Sequence, residues 1–173
     1  KWHRQIDESN AFAAMDKFDK QAFDLVAGST ARKAFDISLE DDRVRDRYGR
    51  NSWGQSTLLA RRLVEAGSTF VTVHCGGWDS HWELEASMKS QLPKLDSLVS
   101  SLFEDLADRG LLDQVMVVVG GEFGRTPFMN TGHDKGKPGR DHWGNTFSCL
   151  FGGGGVQGGQ IVGASNERGE YVT

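Results

Sequence analysis

Glycine is distributed along this chain in a way that restricts what it can fold into. Of 22 glycines, only Gly28 lies among residues 1–48, and most of the others crowd into 76–77, 120–124, 132–139 and 152–163. Each crowd follows an apolar run. Glycine tolerates positive φ and lets backbones approach closely, so these are sites where an element ends in an irregular, closely packed loop. The chain therefore reads as regular in its first third and loop-rich in its last.

Periodicity fills in the elements. Phe12, Met15, Phe18, Ala22 and Leu25 recur at helical spacing, with Ser9 ahead of them and Gly28 after, which predicts a helix over 9–27. Residues 29–52 are polar and mixed, a short helix and a connection. Leu58, Leu59, Leu63 and Val64 make one helical face over 54–66, stopped by Gly67. A long helix is expected over 83–109, with Pro93 kinking or dividing it and Gly110 closing it. The apolar runs 69–75, 115–119 and 147–151 read as strands, with a short fourth over 160–162. The continuous run 115–119 is expected to be the most buried strand, covered on both faces, with 69–75 parallel to it and beside it or one strand away. Helix and strand in alternation predict an α/β chain with helices on both faces of a parallel sheet. An N-terminal helical segment, 1–48, then precedes an α/β core over 49–173.

At 173 residues the chain suffices for one domain. Twenty Lys and Arg against 24 Asp and Glu leave a net charge of −4, which provides no general attraction for nucleic acid or an anionic membrane. No apolar run approaches the roughly 20 residues of a membrane span. The two cysteines, Cys75 and Cys149, lie in apolar runs outside any Cys-x-x-Cys pair and read as two buried free thiols.

Three clusters carry chemistry, and each adjoins a predicted strand. They are Asp79 and His81 in GGWDSHW, Glu122 and Arg125 in GEFGRTP, and Arg140, Asp141 and His142 in GRDHW. Ligands bind at strand ends in open α/β sheets, and carboxylates with imidazoles suit zinc, manganese or iron. Arg125 and Arg140 match the oxygens of phosphate or sulfate. Simpler alternatives stand beside these. Asp-x-His also fits a capped turn with a solvated ring, Glu122 and Arg125 fit a surface ion pair, and Asp141 fits a turn cap. His133 sits in the polar tip 131–139, and His3 and His74 have no acidic neighbour in register. The pattern Gly153-x-Gly155-x-x-Gly158 matches a dinucleotide fingerprint only formally, because no helix follows it.

The motifs WDSH, GEFGRTP and GRDHW, in that order, resemble the bacterial family called domain of unknown function 1501, placed in the alkaline-phosphatase-like and sulfatase-like superfamily. The resemblance covers nearly all of the chain from Tyr48 onward. It implies a three-layer α/β/α sandwich with a mostly parallel central sheet, alkaline-phosphatase-like. It implies a metal held by Asp79, His81, Glu122 and His142, with zinc first and manganese, iron or calcium as alternatives. Glu122 and Arg125 would be catalytic, and Arg125 and Arg140 would bind substrate, a small anionic ester of the phosphorylated or sulfated kind. Where the superfamily has Asp-His this chain has Glu122-Phe123, which removes one ligand of a second metal site. The superfamily's nucleophile lies in a segment upstream of these motifs, so the chain is expected to be the C-terminal part of a hydrolase-like protein, inactive alone and partnered by that segment. Export from the cytoplasm is also suggested by the resemblance. The competing expectation is a non-catalytic binding or scaffold domain with a degenerate metal site.

Overall fold

The structure, a computed structural model, describes residues 19–20, 22–23, 28–132 and 136–173. Residues 19–20 and 22–23 are helical; the rest of the helix expected over 9–27 lies outside the described residues, as do His3 and His133. Two compact units divide the chain, Lys1–His74 and Cys75–Thr173.

The first unit holds α1 (Ser29–Phe35), a 3-10 turn (Ile37–Leu39), α2 (Asp42–Tyr48) and α3 (Ser52–Glu65). The polar stretch expected to hold one short helix holds two, because it carries its own caps. Asp36 accepts from the Ser38 N–H at 3.1 Å and Asp41 from the Arg43 N–H at 2.7 Å. Asn51 Oδ1 accepts from the N–H groups of Trp53 and Gly54, both at 3.1 Å, satisfying donors that the first turn of α3 leaves free. At the other end Gly67, with φ of 101°, donates to Val64 O while Ser68 donates to Leu63 O. That crossed pair is the glycine stop expected there.

Ala31, Ala34, Tyr48 and Leu58 form the core of this unit. Arg61 is buried with them at 2% exposure. Its Nη2 lies 2.9 Å from Glu40 Oε2, and Nη1 pairs with Glu65 one turn along α3. A buried guanidinium is tolerable only with such partners. Arg62 pairs with the other oxygen of Glu40 and donates to Ala34 O at 2.8 Å, tying α3 to α1.

The second unit is organised by α4 (Leu84–Asp108), 25 residues long with Pro93 inside it. Gly110 and Leu111 close it by donating to Ala107 O and Leu106 O. Among the described residues the only strands are β1 (Met116–Val119), β2 (Gly124–Arg125), β3 (His142–Trp143) and β4 (Leu150–Gly153). β1 pairs antiparallel with β4, Val118 opposite Phe151, and β2 pairs antiparallel with β3, Arg125 opposite His142. No helix of the described residues is long and apolar enough to cross a membrane.

The expected three-layer sandwich with a parallel central sheet, the alkaline-phosphatase-like fold, is therefore not what forms. Residues 69–75 make no strand, and Phe70 is 84% exposed. Residues 160–162 are also unpaired, with Ile161 97% exposed. β1 is not a doubly covered strand: Met116 and Val118 face outward at 55% exposure while Val117 and Val119 are half-buried. The reason is connectivity. Parallel neighbours need a crossover, usually a helix, and among the described residues no helix lies between β1 and β4. The chain makes a long excursion and returns antiparallel, beginning β4 at Leu150 rather than at 147. The helix that could serve as a crossover, α4, has no strand ahead of it.

One close contact yields a test. A Cβ at Gly54 would lie 2.0 Å from Tyr48 O and 2.6 Å from Gly49 O, both backbone atoms that cannot yield cheaply. Gly54→Ala should destabilise the protein by about 2–3 kcal/mol in urea unfolding. Gly144→Ala, where an added Cβ meets nothing within 4 Å, should shift the urea midpoint little.

Candidate metal centre

Segments 78–83 and 137–141 run antiparallel as an irregular ladder. Arg140 N–H donates to Ser80 O at 3.1 Å, Trp82 bridges Pro138, and Glu83 N–H donates to Lys137 O at 2.9 Å. The backbones approach so closely at Gly139 that a Cβ there would lie 2.3 Å from the His81 carbonyl carbon. On the far side, Thr126 N–H donates to Asp141 O at 2.9 Å, and β2 pairs with β3. Three motifs distant in sequence thus lie side by side.

Their side chains converge. His142 Nε2 lies 2.8 Å from Asp79 Oδ1, His81 Nε2 lies 3.0 Å from the same oxygen, and the two Nε2 atoms are 3.1 Å apart. One ligand atom from each of Asp79, His81 and His142 lies within 4.8 Å of the others. Donors around a tetrahedral ion with bonds of about 2.0–2.1 Å sit about 3.3 Å apart, so a few tenths of an ångström of opening admits an ion. Asp79 and His142 are open to solvent on one side, which leaves room for a further ligand.

The second layer of contacts sets the imidazole's tautomer. Asp141 Oδ1 lies 2.7 Å from His81 Nδ1. A carboxylate only accepts, so Nδ1 carries a proton and Nε2 is the atom turned to the cluster. Asn130 holds Asp141 in turn, donating from Nδ2 at 3.1 Å, and donates to His81 O at 2.9 Å. Its own Oδ1 accepts from Gly132 N–H at 2.8 Å and Gly139 N–H at 2.9 Å. Asn130 is the residue that the sequence reading missed. Its one legible signal was an Asn two residues before a Gly, the pattern of a side chain closing its own turn.

Arg125, directly opposite His142, donates from Nη2 to Asp79 Oδ1 at 2.8 Å and to Trp78 O at 3.0 Å, and from Nη1 to Arg140 O at 3.2 Å. It pairs with Asp79, not with Glu122. Glu122 is exposed and stands outside the group of three ligands. Its neighbour Phe123 lays its ring on His142, with centroids 4.4 Å apart. Arg140 donates from Nη1 to Thr126 O at 3.0 Å. His74 is exposed, and Trp143 donates to Glu170 O at 2.7 Å. The hydrogen bond from His142 and that from Arg125, with the charges of His81 and Arg125 beside them, hold the Asp79 carboxyl down at about 2.

Two imidazoles and a carboxylate on one point, with a carboxylate behind one of the imidazoles, define a candidate metal-binding domain. The chain belongs to the family described as "Protein of unknown function (DUF1501)", whose model matches residues 1–173. Comparison with the curated proteins found no match, and comparison with the solved structures found none either.

A carboxyl group held below its ordinary value of 3.8 stabilises the folded state above that value and loses the contribution as pH falls through its folded pKa. A carbon-13 NMR titration of the Asp79 carboxyl should give a midpoint at about 2. In His142→Ala the midpoint should move up toward the ordinary range, and the acid limb of the stability curve attributable to Asp79 should move up with it.

Proposed function

We propose that this domain binds one divalent metal ion through Asp79, His81 and His142, with zinc first and manganese or iron next, and uses it in hydrolase-like chemistry on a small phosphate or sulfate ester. The observation that carries the reading is the meeting of three borderline-metal donors from two segments 60 residues apart, with His81 Nδ1 fixed by Asp141. An ion there would polarise an ester oxygen and a bound water. The chain's own residues do the rest. Asp141 and Asn130 keep the His81 lone pair aimed at the ion. His142 would present Nε2, the atom that meets Asp79, to the ion, and any proton there has to leave on ligation. Arg140 retains donors for an anionic oxygen after its bond to Thr126. Arg125 holds Asp79 in place and adds positive charge beside it. Glu122, exposed next to Phe123, is the carboxylate left for base catalysis or weak ligation.

A second reading, a metal-binding domain without turnover, is favoured by one observation. Both terminal nitrogens of Arg125 are committed to protein acceptors, which leaves little of its fork for substrate.

Calorimetry with zinc, on protein purified without chelator or metal-affinity resin, should give one site. Asp79→Ala, His81→Ala and His142→Ala should each abolish it or weaken it strongly, and Asp141→Asn should weaken it by about tenfold or more. His74→Ala should leave it unchanged. Zinc binding unaffected by all four site variants would remove this reading. Turnover of an aryl phosphate or sulfate by the zinc form, lost in His142→Ala, would decide against the non-catalytic alternative.

A further inference from the structure

An open cleft of about 660 Å³ adjoins the metal cluster, a size within the ordinary range for small-molecule sites. None of the three ligands lines it, but Phe123 and Arg125 do, and these touch His142 and Asp79. Its far wall is the turn around Asn166–Gly169, which is well anchored. Asn166 N–H donates to Tyr171 O at 2.8 Å, Asn166 Oδ1 accepts from Glu170 N–H at 2.8 Å, and Trp143, next to His142, donates to Glu170 O.

The cleft is rich in uncommitted donors. Three arginines line it, Arg125, Arg140 and Arg168, against one acid, Glu167. Arg168 is exposed, and none of the hydrogen bonds or ion pairs among the described residues engages its guanidinium. Arg140 commits one nitrogen to Thr126 O. The Thr146 hydroxyl is buried at the cleft with no hydrogen-bond partner among the described residues, and buried polar groups ordinarily have one. Ser148 and Ser165 add two exposed hydroxyls. A lipid or plain aryl tail would leave all of these unsatisfied.

We infer that this cleft seats the non-reacting part of the substrate, and that the substrate is a small polyhydroxylated molecule bearing a second oxyanion group, held by Arg168. The inference rests on the metal reading for the position of the first anionic group. Arg168 meets the second as a guanidinium fork on anionic oxygens. The exposed Ser148 and Ser165 are the hydroxyl side chains available to the molecule's own hydroxyls.

The test is calorimetry of a hexose disulfate and a hexose monosulfate against the zinc-saturated protein. The disulfate should bind about tenfold more tightly, the effect of one charge-assisted contact at an open site. Arg168→Ala should remove that preference and carries the decision, because its side chain supports no other contact. His142→Ala should weaken both sugars alike and keep the preference. A wild-type protein with no preference, or a preference that survives Arg168→Ala, overturns the inference. If Arg168→Ala removes the preference while His142→Ala changes nothing, the cleft assignment stands and the metal reading falls.

Discussion

The candidate site depends on a short stretch of backbone pairing, the ladder between residues 80–83 and 137–140. Each of its hydrogen bonds contributes about 0.5–1.5 kcal/mol, and the ladder is too irregular to count as a strand pair. It nevertheless sets the distance between WDSH and GRDHW. Arg140 N–H on Ser80 O places Asp141 one residue from the register in which it meets the His81 ring. Gly139 is required because the two chains approach too closely there for any side chain. Glu83 takes a left-handed conformation, φ of 50°, as α4 begins, which lets its N–H reach Lys137 O before the helix turns away. Such backbone strain in a non-glycine residue persists only where surrounding contacts hold it.

The cluster itself is an electrostatic compromise. A single oxygen of Asp79 meets His142, His81 and Arg125. These neighbours favour its charged form, the state a ligand must be in. A divalent ion entering the cluster competes with Arg125 for that oxygen. Arg125 also donates to Trp78 O and Arg140 O, so it stays in place and links the 78–81 and 139–143 segments whether or not it keeps Asp79. The dual use of Arg125 makes it a brace first and an anion-binding group second.

The two units use charge differently. In the first, Arg61 is buried and pairs with Glu40 and Glu65, and Arg62 carries the contact on to α1; these charges position helices. In the second, the charged groups of the cluster are partly exposed, and two arginines of the adjoining cleft, Arg140 and Arg168, keep donors uncommitted. Buried, paired charges suit a structural role, and partly engaged ones at an open surface suit a ligand.

The linear chain determined the local features. Helical spacing and glycine stops placed α3 and α4 within a residue or two, because those signals act over one or two turns. The residue types of the candidate cluster were also legible, since Asp79, His81 and His142 stand in compact motifs. Tertiary structure decided the pairing. Runs 69–75, 115–119 and 147–151 have similar apolar character, and nothing in that character says which will find a partner or in which direction. One made no strand, and the other two met antiparallel. Glu122, expected as a weaker ligand or a base, is exposed and outside the group of three that meet. Asn130, without any striking neighbour in sequence, became the group that holds Asp141 and the loop together. Side-chain chemistry is a property of each residue, whereas its partners depend on long-range chain reversals whose energies are spread over many weak contacts.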